Sequence, residues 1–277
     1  MKTKPKIIGA TLAAALLLLT CALAACGSPA TAGNGLSGTI TTAGSTTVQP
    51  LAELFADAFK SKHPGATVTI QGGGSSVGIK SATDGTVDIG AVSRELKSEE
   101  KPGLVEHVIA KDGIAIITHP SNAVKGISKE QVRDIYAGNI INWNELGGVG
   151  KAINVVAREE GSGTRTAFEE MVMGKQLITS KAILQSSNGA IRATVAGDPN
   201  SIGFLSFGYL DSSVKALAID GVVGSKATAL DGSYPVVRPL IFVTRGEPQG
   251  AVKEFIDFCL GAEGQKIVED EGYIPVN

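Results

Sequence analysis

The stretch 39–62, TITTAGSTTVQPLAELFADAFKSK, decides the fold class. It opens on the β-branched run 39–42 and passes through Ala43-Gly44-Ser45-Thr46-Thr47. From Val48 to position 62 it carries Leu51, Leu54, Phe55, Ala58 and Phe59 at helical spacing. Apolar residues three and four apart define one face of a helix, whereas a short β-branched run predicts a strand. A strand feeding a helix through a short loop is the repeating unit of α/β folds.

The unit recurs on either side of that stretch. Residues 68–71 read as a strand, 76–83 as a short helix and 87–92 as a strand, with further strands at 105–110 and 114–118. A second series follows: helix 129–137, strand 153–157, helices 164–173 and 189–196, and strand 201–207. Residues 220–233 are rich in Gly and Asp and read as a hairpin or loop. Positions 236–237 and 240–244 are apolar and β-branched, and helices 251–260 and 264–271 close the chain. No internal repeat of fixed period is visible, and two α/β halves match ordinary domain sizes.

Composition supports this reading and excludes others. At 277 residues, with 43% hydrophobic and 19% charged, the chain is too apolar for disorder. Its 35 glycines show no every-third-residue period, which excludes collagen. With 25 Lys+Arg against 27 Asp+Glu, there is no basic excess to attract nucleic acid. So many glycines predict tight turns, or loops where backbone closely approaches another group.

The first 25 residues read as an export signal. Lys2, Lys4 and Lys6 precede an apolar run that ends in Leu23-Ala24-Ala25-Cys26-Gly27. The run is about the length that spans a bilayer, so an uncleaved anchor is the alternative. Small residues before Cys26 resemble the bacterial lipobox, which makes Cys26 the expected lipidated (palmitate-bearing) N-terminus; Cys21 follows Leu-Thr and fits worse. Removal of 1–25 takes away three lysines and no acid, moving the net charge from −2 to −5. Residues 26–37 read as a flexible tether. Cys259 is then the remaining thiol, set in an apolar helical pattern, and reads as a small buried hydrophobe.

Three loops carry the functional signal: 43–47, Gly72-Gly73-Gly74-Ser75-Ser76, and Arg158-Glu159-Glu160-Gly161-Ser162-Gly163-Thr164. Each follows a predicted strand and opens a predicted helix. Free backbone N–H groups, the helix dipole and rotatable hydroxyls together favour an anion. Ser and Thr are also ordinary helix caps, so one such loop decides nothing. Three of them, with Arg158 and Arg94 near strand ends, point to a ligand at the carboxyl ends of the strands. Competing motifs fit less well, and a secreted serine hydrolase using Ser76 is the alternative of another class. Gly73-x-x-x-x-Gly78 is followed by Ile79-Lys80, which breaks the nucleotide P-loop pattern. Gly74-Ser75-Ser76-Val77-Gly78 matches the nucleophile elbow of hydrolases with Ser76 as nucleophile. That chemistry calls for a late histidine, and the chain has only His63, His107 and His119. No His/Cys/carboxylate cluster has metal-ligand spacing, so no metal and no cofactor is expected.

Six segments in register, GSTTVQP (44–50), GGGSSVG (72–78), DIGAVSRELK (88–97), INWNELGG (141–148), REEGSGTR (158–165) and EGYIPVN (271–277), resemble the PstS family, the phosphate-binding lipoproteins of ABC importers. The resemblance covers nearly all of 37–277. It implies a two-lobed, periplasmic-binding-protein-like α/β fold of type II, with 38–112 plus 240–277 as lobe one, 113–239 as lobe two, and the anion in the cleft between them. It further implies capture of inorganic phosphate and delivery to an ABC permease in the membrane, by a monomer held outside the cytoplasm on a lipid anchor, with no chemistry performed.

Carried over position by position, the phosphate-binding residues are Thr46, Thr47, Ser75, Ser93, Arg158, Ser162, Gly163 and Thr164. Ser45, Ser76 and Arg94 are secondary candidates, and Arg94 is equally suited to pair with a carboxylate across the cleft. At the Ser93 position some members of the family carry an aspartate that accepts the proton of hydrogen phosphate and so excludes sulfate. Serine does not repel sulfate by charge, which leaves another tetrahedral oxyanion, or a sensor role, as the alternative; Glu160 is a further acceptor or a solvated loop acid. Trp143 is expected to pack a surface loop.

Overall fold

The computed structural model describes residues 36–277. The signal segment 1–25, Cys26 and all but the last two residues of the tether 26–37 lie outside the described residues. In chain order the first elements are β1 (Ser37–Gly44), α1 (Gln49–Lys62), β2 (Gly65–Gln71), α2 (Ser75–Asp84), β3 (Ile89–Val92) and β4 (Leu104–Thr118). Then come β5 (Gly126–Ile127), α3 (Lys129–Ala137), β6 (Asn154–Arg158), α4 (Gly163–Phe168), β7 (Ile183–Gln185), α5 (Asn188–Ala196) and β8 (Ser201–Ser206). The chain ends with β9 (Lys215–Ala216), β10 (Ala218–Ile219), β11 (Val222–Val223), α6 (Lys226–Leu230), β12 (Val237–Arg245), α7 (Gly250–Leu260) and α8 (Ala262–Asp270). The strands of the main sheet lie in the order β2-β1-β3-β12-β4-β8-β6-β7, with β9 also on β4. The mixed α/β architecture read from the sequence is the one observed.

Two large apolar cores are threaded on this sheet. One gathers residues between Ile40 and Ala110 and between Leu240 and Tyr273; the other lies wholly between Ile114 and Val236. In the first, α1, α7 and α8 cover one sheet face, while Ile79 and Ala82 of α2 cover the other against Val92, Ile241 and Val243. In the second, Phe168 and Phe204 stack with ring centroids 4.2 Å apart, and Tyr136 packs tilted against both. Each fully buried aromatic or aliphatic side chain contributes about 1.5–3 kcal/mol of transfer free energy.

The connection between the cores differs from the expectation. Lys111-Asp112-Gly113 looks like a turn between two strands, yet β4 runs unbroken for 15 residues through it. β12 pairs antiparallel along it, with Val237 opposite Gly113, Arg238 opposite Asp112 and Pro239 opposite Lys111. Asp112 stays in the strand because Arg238 faces it, and Gly113 because a Cβ there would overlap the Phe207 ring. The apolar positions 236–237 and 240–244 likewise belong to the one strand β12.

Smaller departures have local causes. The buried stripe of α1 is Leu51, Ala52, Phe55, Ala56 and Phe59, so Leu54 turns outward and the small Ala52 and Ala56 let the helix lie close to the sheet. After α4 the helix continues as a π-helical turn, Glu169–Met173, with Val172 and Met173 both buried. Residues 220–233 form part of the β10–β11 hairpin and the short α6. Cys259 is fully buried in the first core. Trp143 does not pack a surface loop: it is 1% exposed, belongs to the second core, and its Nε1 donates to the Asn200 carbonyl at 2.9 Å. Its polar neighbours Asn142 and Glu145 form the capping box of a short 3-10 turn and face outward, which masks the burial in the sequence. Trp143→Ala should therefore lower the unfolding free energy by about 3–5 kcal/mol in urea denaturation followed by circular dichroism; a loss below 1 kcal/mol would return the indole to the surface.

Candidate functional site

The three loops meet where the two cores meet. Gly44 takes φ 135°, and a Cβ on it would press on Gly78 Cα at 2.8 Å, so the first loop can approach α2 only as glycine. The Ser45 hydroxyl accepts from the Thr47 and Val48 N–H groups, at 3.1 and 3.4 Å, and so fixes the turn that leads into α1. Thr47 is fully buried. Its Oγ1 accepts from Asn188 Nδ2 at 2.9 Å and Arg238 Nη2 at 3.2 Å, and lies 3.0 Å from Thr164 Oγ1. An oxygen that already takes two N–H donors has used its lone pairs, so its own hydrogen is the group it can offer.

Ser75, fully buried at the start of α2, accepts from the Ser93 N–H at 3.0 Å, and the two hydroxyl oxygens are 3.4 Å apart. From the third loop, Gly163 sits directly against these two serines: a Cβ there would overlap Ser75 Oγ and come within 2.7 Å of Ser93 Oγ. Ser162 caps α4 by accepting from the Arg165 N–H at 3.3 Å. The Ser76 N–H donates to the Gly161 carbonyl at 3.1 Å, whereas the Ser76 side chain is exposed. Glu160 is exposed as well.

Arg158 is 2% exposed and receives no carboxylate. Its Nε donates to the Gln185 carbonyl at 3.1 Å, and its Nη2 to the Ser186 carbonyl at 2.9 Å and Thr46 Oγ1 at 3.2 Å. Nη1 has no hydrogen-bond partner among the described residues. Burial first, and the like charge of Arg238 second, pull the Arg158 guanidinium down to about 10. The charge is nonetheless retained at neutral pH.

The structure thus brings Thr46, Thr47, Ser75, Ser93, Arg158, Gly163 and Thr164 together, with Ser45 and Ser162 buried beside them in backbone-holding roles, Ser45 in the turn before α1 and Ser162 as the cap of α4. Arg94 is engaged elsewhere. Its Nη1 and Nη2 grip Glu100 at 2.7 and 2.8 Å, six residues further along its own segment and not across the cleft. Neither of the histidines that bond a hydroxyl reaches Ser76: His107 bonds Thr244 and His119 bonds Ser121, while His63 packs on the Phe59 ring.

Sequence reasoning missed four residues here: Asn188, Arg238, Asp112 and Tyr209. Ser186-Ser187-Asn188 is a fourth strand–loop–helix junction, with Ser187 capping α5 and the buried Asn188 reaching Thr47. Arg238 and Asp112 are charged residues at strand positions flanked by apolar runs, and that placement was the available signal. Tyr209 donates from its hydroxyl to the Thr46 carbonyl at 2.7 Å.

Two predictions follow from this geometry. Gly163→Ala should weaken ligand binding at least about tenfold in calorimetric titration, because a methyl group cannot enter between the serines without costing on the order of 1–3 kcal/mol; parental affinity would mean the loops do not close to this distance. The Arg94 bonds hold the Glu100 carboxyl below its ordinary range. A carboxylate depressed in the folded state adds stability above its unfolded value and loses it as pH falls through the folded value. Glu100→Gln should accordingly flatten the acid limb of a melting-temperature profile, and an unchanged limb would show the pair to be without effect.

Comparison with known proteins accords with this arrangement. The sequence profile of the PBP superfamily domain matches residues 29–263. The chain is 38% identical over 248 residues to the phosphate-binding protein PstS of Bacillus subtilis (strain 168), covering 87% of this chain and 81% of that one. Among solved structures, a phosphate ABC transporter substrate-binding protein with bound phosphate from Clostridium perfringens superposes with a TM-score of 0.84 at 46% identity, covering 87% of this chain and all (100%) of that one. An ABC-type phosphate transport receptor from Vibrio cholerae superposes with a TM-score of 0.73 at 32% identity, over 86% of this chain and 100% of that one. With buried hydroxyls from separate loops converging beside an arginine that has no carboxylate partner, and with these relatives along most of its length, the chain belongs to the PstS family of phosphate-binding proteins within the PBP superfamily.

Proposed function

We propose that this protein captures inorganic phosphate between two lobes and delivers it to an ABC transporter, performing no chemistry of its own. The observation that carries this reading is Arg158. A buried guanidinium bonded solely to neutral oxygens, with Nη1 free of any protein partner among the described residues, leaves a donor and an uncompensated charge for an anion to take. The hydroxyls of Thr47, Ser75, Ser93 and Thr164, with Thr46 and the Gly163 backbone, supply further donors for a tetrahedral oxyanion. In this reading the first core, 38–112 plus 240–277, is one lobe and the second, 113–239, the other. The ligand is reached by their opening about β4 and β12. The signal at 1–25, lipidation at Cys26 and the tether would hold a monomer at the outer membrane face, where it meets the permease.

A second reading keeps the fold and broadens the ligand. Asp112 is the one acidic residue among the buried polar side chains described. Its oxygens are taken by Arg238, Ser206 and the Phe207 N–H. Among the described residues no buried carboxylate is thus left to reject a fully ionised anion, which favours some uptake of sulfate. Calorimetric titration with phosphate and then sulfate decides: the main reading expects micromolar or tighter phosphate and weaker sulfate, and the absence of phosphate binding would refute it. Arg158→Ala should cost about 100-fold or more in phosphate affinity, the loss typical of removing a charged partner from a buried ion. A near-parental value would place the anion elsewhere.

A further inference from the structure

We propose that Arg238 is a second charged ligand of the anion, and that Asp112 opposite it is a built-in counter-ion that keeps this arginine buried while the cleft is open. The inference rests on the phosphate-binding reading above. Arg238 does not lie in any of the Gly/Ser/Thr loops; it comes from the strand β12 that crosses between the two cores, directly across the ladder from Asp112 on β4.

The donor accounting points the guanidinium at the site. Nε donates to Asp112 Oδ2 at 3.2 Å. Nη2 divides its hydrogens between Asp112 Oδ2 at 2.9 Å and Thr47 Oγ1 at 3.2 Å. Nη1 makes one firm bond, to the Ser93 carbonyl at 3.0 Å, and its other hydrogen has nothing nearer than Ser93 Oγ at 3.5 Å. A guanidinium presents five N–H donors in a fixed fork. Four of these are held; the fifth, on Nη1, is held loosely beside the Ser93 hydroxyl, while Nη2 bonds the Thr47 hydroxyl, so the fork faces two of the site's hydroxyls. The side chain is 2% exposed, so water does not compete for it.

Asp112 is suited to a counter-ion and not to proton acceptance from a ligand. Oδ2 takes both Arg238 bonds, and Oδ1 accepts from Ser206 Oγ at 2.9 Å and the Phe207 N–H at 3.2 Å. The four lone-pair positions of the carboxylate are filled. The charged and titratable groups around it are Arg238 on β12, Tyr234 ahead of that strand and Tyr273 near the C-terminus, with Arg158 beyond Arg238. Burial pushes the Asp112 carboxyl upward, and the charge and hydrogen bonds of Arg238 oppose that push. With Arg238 removed, an unpaired carboxylate would stand beside the anion and repel it until protonated.

That consequence separates ligation from a structural role. Inorganic phosphate is titrated into the full chain, R238Q, R238K and R238Q/D112N between pH 5 and 8, with each affinity expressed relative to the parent at the same pH. R238Q is expected to lose about 30-fold or more at pH 8, with the deficit shrinking toward pH 5 as Asp112 protonates. R238Q/D112N should bind more tightly than R238Q at pH 8, yet remain about tenfold weaker than the parent with a pH-independent ratio. R238K should fall between the parent and the double variant. R238Q within threefold of the parent, or a double variant no tighter than R238Q, would overturn the proposal. If R238Q fails to fold, the double variant and R238K bury no unpaired charge and carry the test: a double variant equal to the parent, or R238K no better than the double, overturns it. Failure of the parent itself to bind phosphate would refute the phosphate reading instead.

Discussion

Two buried guanidinium groups and one buried carboxylate sit where the apolar cores part, and the rest of the structure is arranged around that imbalance. Arg238 has its counter-charge in Asp112 across the β4–β12 ladder; Arg158 has none and is bonded to neutral oxygens. Buried charge is tolerated when paired or hydrogen-bonded, and otherwise costs enough to rival the net stability of a domain. A site with one positive charge in excess, lined by donors, is therefore suited to an anion. The chain as a whole carries a net charge of −2, so its long-range field does not recruit that anion. Recognition is local.

The same constraint explains where the two large cores stop. In β4, Lys111-Asp112-Gly113 lies between Ile109-Ala110 and the buried run Ile114–Ile117, and in β12 Arg238 and Pro239 precede the buried run Leu240–Val243. A charged pair cannot be enclosed by either core without loss of its partners, so it stays between them, on the strands that join the cores. Contacts across the boundary include close backbone approaches, Gly74 against the Gly161 carbonyl and Gly163 against two serines, together with polar side-chain bonds from Arg158 and Tyr209 to Thr46 and from Asn188 to Thr47. Polar contacts of this kind form and break without repacking a core, which is compatible with the opening of two lobes proposed above.

Much of this was legible in the sequence. Ser75, Thr47 and Arg158 stand out because glycine-rich loops between a strand and a helix leave N–H groups and hydroxyls free, and few structural demands need several such loops together. The α/β alternation was equally clear, since periodicity reports which face of an element is buried. What periodicity does not report is which buried face meets which. Asp112-Gly113 mimicked a turn because turn chemistry is judged from neighbours along the chain, whereas the residue that keeps Asp112 in a strand is 126 positions away. Arg238 hid inside an apolar strand for the same reason. Trp143 was misread because its neighbours are polar, although its own ring faces inward. Arg94 was ambiguous by composition alone, and Glu100, six positions on, resolves it.

The most direct test of the central claim is a crystal structure of the protein grown with inorganic phosphate. The account predicts one tetrahedral anion within hydrogen-bond distance of Arg158 Nη1, between the hydroxyls of Thr47 and Thr164 on one side and those of Ser75 and Ser93 on the other. A phosphate bound away from Arg158, or a cleft that excludes phosphate at saturating concentration, would contradict it.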